Sequence, residues 1–364
     1  MGGLWAACAR TSSDGSVGSG TVSAASTLYA RTDTNDTTVW SPRLRVAGRV
    51  TDEVTVESSY GLDAWTGASI DVVTAATKAI HEVRQEVTGG AGYATEDVRF
   101  GGSYRYSTEN DYWSHGGTAR VAVDLAQHNT TLDLTLYGAR DRIARAHDPN
   151  FDRNQASYGG RLSLTQVIDR ATLAQLSWDT SQVSGYQASP YRYVAVGGDG
   201  TCRSGAPFCL PETVPSERTR HALGAQVKRA LTDDVSLALS YRFYFDTWGL
   251  QSQTLAPELS VLLGEHGTLS ASYRYYTQDE ARFYRPRYLD VATQTRWVTR
   301  DRELSAMYAH RIGVSYLHQL PLGSRASLSF ALRAGGTYYR YLAFVGLTDV
   351  KALELTGLLG FDYL

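Results

Sequence analysis

Apolar and polar residues alternate along most of this chain with a period of two. In VSLALSYRFYFD (235–246), Val235, Leu237 and Leu239 alternate with Ser236 and Ser240, and aromatic residues continue the apolar edge. Such alternation is typical of β-strands whose two faces meet different surroundings. It predicts sixteen strands, at roughly 20–32, 37–50, 53–66, 80–92, 97–110, 112–126, 130–143, 156–168, 170–184, 218–231, 235–248, 251–264, 267–279, 303–320, 325–342 and 348–364.

The connections between these segments alternate in length. Short polar links such as ATED and AQHN follow the even-numbered segments, whereas the long links, at 67–79, 144–155, 185–217 and 280–302, follow odd-numbered ones. This arrangement is typical of bacterial outer-membrane barrels, which turn tightly in the periplasm and carry long loops outside. We therefore expect an all-β protein, a single closed antiparallel transmembrane β-barrel of about 16 strands, integral to the bacterial outer membrane.

Soluble all-β folds explain the pattern less well. Strands of soluble proteins average about five or six residues, whereas the predicted segments average about fourteen. The chain also lacks the repeat of about 40 to 50 residues that marks propeller blades. We assign residues 20–364 to the barrel and expect residues 1–19 to be a flexible N-terminal segment or a leader remnant.

Composition agrees with a membrane barrel. The chain has 24 Tyr and 7 Trp against 9 Phe, and these amphipathic rings suit a boundary between lipid and water. No stretch approaches the ~20 apolar residues of a membrane helix. A net charge of −2 supplies no broad attraction to nucleic acid, so we expect no nucleic-acid partner.

Two of the three cysteines, Cys202 and Cys209, lie close together in a polar, Gly/Pro-rich stretch. No histidine stands at a zinc-like spacing, so we expect a loop disulfide and hence an oxidising compartment, with two free surface thiols as the alternative. Cys8 resembles the end of a lipoprotein signal, but Leu4 lies one position too far from it. We expect a truncated start or a removed leader there instead of a lipidated cysteine.

If the apolar face meets lipid, strand parity assigns the remaining charges to the lumen. The residues predicted to line the lumen are Arg43, Arg45, Arg49, Glu57, Asp63, Glu82, Arg84, Glu86, Arg99, Arg105, Arg120, Arg218, Arg220, Arg242, Arg274 and Arg333. The same parity adds Arg161, Lys228 and Arg311 to the cations, and Asp124, Asp133, Asp179, Glu258 and Glu354 to the acids. This wall tilts basic and predicts weak anion preference; alternatively, the charges only pair and hydrate it.

Two long loops stand apart from the others. Loop 67–79 is apolar and tolerates helix, so it either folds into the lumen, caps the mouth or is an ordinary outer loop. Loop 185–217, stapled by its expected disulfide, is the best candidate for an external contact surface.

No motif of known chemistry occurs in the sequence. The chain lacks a Gly-rich phosphate loop, a Cys-x-x-Cys pair and a His-Glu-x-x-His pair. Oxygen-rich turns such as TDTND favour ordinary turn chemistry over calcium. We therefore expect a protein that is not an enzyme, with no catalytic residues, no metal site and no cofactor.

The stretch YGLDAWTGASIDVVTAAT, followed by HEVRQEVTGGAGY, resembles a family of bacterial outer-membrane barrels of unknown function. Asp63 and the tripeptide Gly67-Ala68-Ser69 carry the resemblance, which spans nearly the whole chain. It implies a porin-like barrel in the outer membrane and assigns no substrate and no site.

Two functions fit these observations. The first is a channel, monomeric or trimeric, for passive diffusion of small hydrophilic solutes. The second is a structural sheath or scaffold that holds a periplasmic protein or a lipoprotein in its lumen or on its loops. Both imply contact with outer-membrane lipid and with the barrel-assembly machinery.

Overall fold

The structure, a computed structural model, describes residues 22–67, 80–198, 202, 208–289 and 296–363. Within these residues, sixteen strands close into one antiparallel barrel in which nearly all neighbours in sequence are neighbours in space. The barrel strands are β1 (Val22–Asp33), β2 (Thr37–Arg49), β3 (Val54–Gly67), β4 (Ile80–Ala94), β5 (Val98–Thr108), β6 (Tyr112–Leu125), β7 (Thr130–Ala144), β8 (Asp152–Asp169), β9 (Thr172–Gly185), β12 (Glu217–Ala230), β13 (Val235–Asp246), β14 (Gln251–Leu263), β15 (Gly267–Gln278), β16 (Met307–Leu322), β17 (Ala326–Tyr341) and β18 (Asp349–Tyr363). The remaining pair, β10 (Tyr193–Val196) and β11 (Phe208–Pro211), forms a separate two-stranded sheet between β9 and β12.

The barrel confirms the predicted fold class, and the starts of two strands, β8 and β16, differ from the prediction by four residues. β8 begins at Asp152 and not at 156, because its external end continues the ladder with Ala144. β16 begins at Met307 and not at 303, because a short 3-10 helix (Arg302–Leu304) precedes it. The Asp301 carboxylate caps that helix by accepting a hydrogen bond from the Glu303 amide.

The first and last barrel strands pair with each other and close the sheet. The β1–β18 ladder runs from Val22 opposite Tyr363 to Asp33 opposite Ala352. An unpaired backbone N–H or C=O group in hydrocarbon costs several kcal/mol, and an open sheet edge would expose a whole row of such groups. Closure of the sheet avoids this cost. Phe361 and Tyr363 lie exposed on the outer face of β18.

Strand ends alternate between tight and long connections, as the sequence predicted. One end of the barrel carries the short turns, in which Gly264 (φ 66°) and Gly323 (φ 74°) adopt the left-handed conformation that side chains disfavour. The opposite end carries the segments 186–216, 279–306 and 342–348. By outer-membrane topology the short turns face the periplasm, so we refer to the opposite end as external.

The buried apolar core of the described residues lies in these external segments. One cluster joins Trp248, Leu250, Tyr284, Leu304 and Phe344 with six other buried residues. A second cluster joins Val194, Val196, Tyr288 and Val298. No helix in the described part of the chain is long and apolar enough to cross a membrane.

Candidate functional site

The two faces of the barrel wall differ in chemistry because the strand period places alternate residues on opposite sides. Large apolar residues such as Leu136, Leu239 and Leu355 lie exposed on the outer face. The positions that alternate with them form what we call the inner wall. The ladders carry this alternation from strand to strand, since residues directly opposite each other share a face.

All sixteen residues predicted to line the lumen occupy inner-wall positions in this register. On β2 to β7, the structure brings most of them together as ion pairs. Glu86 accepts hydrogen bonds from Arg43 (3.1 Å) and Arg105 (3.2 Å), and Asp63 lies 3.2 Å from Arg84 and 3.8 Å from Arg43. Further pairs are Arg45 with Glu57, Arg99 with Asp124, and Arg120 with Asp133. We call this side of the inner wall the paired wall.

The remaining predicted residues are more scattered. Glu82 lies opposite Trp65 at the external end of β4, and Arg49 lies opposite Thr55 near the periplasmic end of β2. Arg333 faces Thr356 across the β17–β18 ladder.

On β12 and β13 the charges are arranged differently. Arg218 donates two hydrogen bonds to Asp246, at 2.8 and 2.5 Å, and its guanidinium lies over the Trp248 ring at 4.2 Å. Asp246 also accepts hydrogen bonds from the Tyr244 hydroxyl (2.7 Å) and from a backbone amide in the adjacent turn (3.1 Å). Asp246 is therefore fully engaged, although it lies directly opposite Arg220 in the ladder.

Among the described residues, Arg220 and Arg242 have no carboxylate at ion-pair distance. The acid that faces this region from the other side, Asp179, is held by Arg161 through contacts of 3.0 and 3.1 Å. We call the part of the inner wall around Arg220 and Arg242 the unpaired wall. Lys228 lies nearer the short turns, in one ladder row with Glu258, and Ala238 of β13 lies between them.

Tyrosine rings line the unpaired wall. The guanidinium carbon of Arg242 lies 5.6 Å from the centre of the Tyr244 ring, and that of Arg274 lies 5.7 Å from the Tyr276 ring. Both contacts join residues i and i+2 of one strand, so the sequence signal is Arg-x-Tyr at inner-wall parity, in YRFYF and YRYYT. Alternation predicts both arginines at the lumen but not their contacts with the Tyr244 and Tyr276 rings.

External segments pack into one body at the mouth, which we call the loop body and define as 186–198, 208–216, 279–289, 296–306 and 342–348. Backbone contacts join Val196 to Tyr288 and Thr213 to Val298. The Tyr284 hydroxyl donates to a carbonyl in the 342–348 segment (3.2 Å). The stretches FYRPRYL and LAFVGL are more apolar than is usual for solvated loops. This composition is the sequence signal for a packed loop body, and it was not used in the prediction.

A buried charge cluster stabilises the loop body. Arg192 lies 3.1 Å from both Glu212 and Asp301, and the Thr299 hydroxyl donates to Glu212 at 2.6 Å. Buried charges are tolerated only when paired and hydrogen-bonded, and this cluster meets both conditions. Outside this cluster, at the rim of the barrel, burial raises the pKa of the Glu109 carboxyl, and Arg84 at 3.9 Å opposes the shift.

The expected disulfide is present in the segment 185–217. Cys202 and Cys209 are bonded, with Cα atoms 5.8 Å apart, and Cys209 pairs with Ala195 in the β10–β11 sheet. Loop 67–79 lies outside the described residues except for Gly67, as does Cys8. In the described ranges, no group of three or more His, Cys, Asp or Glu could hold a metal ion.

Comparisons with solved structures support the fold alone, since sequence identities are low. A bacterial polysaccharide outer membrane secretin aligns with a TM-score of 0.54 and 9% identity, covering 94% of this chain and 98% of that one. OprD of Pseudomonas aeruginosa aligns at 0.44 and 11% (94% and 95% covered), and the toluene transporter TodX of Pseudomonas putida at 0.42 and 10% (95% and 90%). No curated protein matches the sequence.

A family model described as "Protein of unknown function (DUF3570)" matches residues 139–340, which is more than half of the chain. The matched part contains both the unpaired wall and most of the loop body. The predicted resemblance to an uncharacterised family of outer-membrane barrels is therefore confirmed. The residues that the family model matches lie after the stretch 60–93 on which the resemblance was based. The chain belongs to the DUF3570 family, and its fold is that of the porin-like outer-membrane barrels.

Proposed function

We propose that this protein is an integral channel of the bacterial outer membrane through which small hydrophilic solutes diffuse passively, with a weak preference for anions. A barrel of sixteen strands is wide enough to enclose water instead of a packed side-chain core. Its exposed outer face is apolar, whereas its inner wall carries many charged side chains, which suits a lumen filled with water.

The observation that carries the anion preference is the asymmetry of the inner wall. On the paired wall, Arg99, Arg105 and Arg120 each have a carboxylate partner, so positive and negative charges largely cancel there. Arg220 and Arg242 have no such partner among the described residues. Two uncompensated cations at the lumen surface would raise the local anion concentration.

Reversal potentials of the reconstituted full-length protein in a KCl gradient test this preference. We expect a reversal potential of the sign set by chloride, shifted toward zero by the double variant Arg220→Gln/Arg242→Gln. The matched control is Arg120→Gln/Asp133→Asn, which also changes two inner-wall charges but removes an ion pair and leaves net charge unaltered. Cation selectivity of the unmodified protein would refute the proposal.

A second function is favoured by the loop body, whose own buried core is more than a solute pore requires. Its surface exposes large apolar residues, with 76% of Leu289 and 56% of Phe208 accessible. Such residues suit a scaffold whose external loops bind a partner protein such as a lipoprotein. A folded barrel that carries no current but retains a bound protein through purification would favour this scaffold over the channel.

A further inference from the structure

We propose that Arg220 and Arg242 are oxyanion-binding residues of the inner wall, each selective for carboxylate or phosphate groups over halide ions. The inference rests on the proposed channel, because a solute must enter the lumen to reach these side chains. It goes further by assigning a chemical class of solute and two recognition residues, whereas a weak anion preference requires only positive charge.

The first argument is that both arginines are left with unused binding capacity. Asp246, the acid opposite Arg220, is occupied by two bonds from Arg218, by the Tyr244 hydroxyl and by a backbone amide. Asp179 is likewise occupied by Arg161. A guanidinium has five N–H donors and cannot lose its charge, so a solute oxyanion would complete the coordination that the wall does not supply.

The second argument is that the site is held in place before any solute arrives. Arg242 lies over the Tyr244 ring, and the Tyr244 hydroxyl is fixed by its bond to Asp246. On the other side, Tyr276 occupies the same ladder row as Arg242, with Thr254 between them. An arginine oriented in this way loses less conformational entropy on binding than a free one.

The loop body holds the second ring in the same manner. The Tyr276 hydroxyl donates to the Gln278 amide oxygen at 2.5 Å, and the Gln278 amide nitrogen donates to the carbonyls of Glu303 (2.8 Å) and Ser305 (2.7 Å). Both tyrosines are therefore tied to groups at the external end of the barrel. This arrangement places the two arginines toward the external end of the barrel, near the loop body.

The third argument concerns the geometry of the ligand. A guanidinium whose face lies over a ring still presents its edge N–H groups, and two of these match the paired oxygens of a carboxylate or phosphate. A halide is a single spherical acceptor, so the two N–H groups must converge on one atom instead of each meeting its own oxygen. The planar fork, and not the charge alone, therefore selects oxyanions, and lysine at the same positions would keep the charge but lose the fork.

The test compares the reconstituted protein with the variant Arg220→Lys/Arg242→Lys, using sodium acetate and inorganic phosphate as probes that interrupt chloride current. We expect the variant to keep the KCl reversal potential and to be blocked about tenfold more weakly by both oxyanions, the effect of losing about one charge-assisted hydrogen bond. The control Arg45→Lys, on the paired wall, should leave the block unchanged. Acetate and phosphate, compared separately, show which oxyanion the site prefers.

The outcomes separate this inference from the proposed function. Block of equal strength in the lysine variant and the unmodified protein would overturn the oxyanion site while leaving the channel intact. Absence of block by either probe in a conducting protein would overturn it as well. A protein that conducts without anion preference, yet shows arginine-dependent block, would overturn only the proposed anion preference and support the site.

Discussion

At the scale of single residues, charge balance on the inner wall depends on a few shared carboxylates. Glu86 forms ion pairs with Arg43 and Arg105, and Asp63 forms ion pairs with Arg43 and Arg84. These pairs are partly accessible to solvent, so each contributes only about 0.2 to 1 kcal/mol to stability. Their larger effect is to cancel charge: neutralising Glu86 removes the carboxylate partner of Arg105, while Arg43 keeps Asp63.

Glu86→Gln is therefore expected to increase the anion preference, which is the opposite of the effect expected for Arg220→Gln/Arg242→Gln. The barrel should fold normally, because only weak partly exposed contacts are lost. Reversal potentials in a KCl gradient measure the shift. Glu265→Gln, which makes the same charge change in an exposed short turn, is the control; equal shifts in both variants would show that Glu86 does not face the conduction path.

At the scale of elements, each strand has one apolar face and one polar face. Adjacent residues therefore differ in whether they tolerate a charged substitution. Leu136 lies on the outer face near the middle of β7, and Thr135 lies beside it on the inner wall. Charged residues on the lipid face of a barrel cost about 2 to 4 kcal/mol at mid-depth, whereas charges in the lumen remain hydrated.

We accordingly expect Leu136→Arg to lower the free energy of unfolding by about 2 to 4 kcal/mol and Thr135→Arg to change it by less than about 1 kcal/mol. Reversible urea unfolding in lipid vesicles measures both values. If the Thr135 variant were the more damaged of the two, the faces of β7 would be assigned in reverse.

The loop body is an element with its own core, and Tyr284 is its most buried large residue, with 2% of its surface accessible. Tyr284→Ala should cost about 3 to 5 kcal/mol of loop-body packing, as for other large-to-small core changes. Limited proteolysis should then cleave within 279–289 or 296–306 while the barrel strands stay intact. Leu289→Ala, at an exposed position of the same segment, should not accelerate cleavage; comparable cleavage in both variants would argue against a packed core.

The elements that could be predicted from sequence are those governed by local rules. Alternation predicted the sixteen barrel strands, and parity placed Arg43 and Glu86 on the same face, because a strand has a fixed period of two. The contacts of Tyr284 and Arg192 could not be predicted in this way, because they join loops far apart in sequence. The sequence also could not show which arginines are paired, since Asp246 selects Arg218 over Arg220 through side-chain geometry alone.

At the scale of the whole molecule, a near-neutral protein has an uneven inner wall. The net charge of −2 conceals a paired wall on β2 to β7 and two arginines on β12 and β13 that have no acid partner within the described ranges. The loop body lies over one end, and Gln278 connects it by hydrogen bonds to Tyr276, in the ladder row of Arg242. This combination fits a channel whose external end both filters and recognises solutes.

The central claim is that the closed barrel conducts. Single-channel recording of the purified full-length protein in a planar lipid bilayer tests it most directly, with folding checked on the same sample by a heat-dependent shift in gel mobility. The account predicts stepwise ionic currents from the folded protein. A sample that is folded and inserted but carries no current would contradict it.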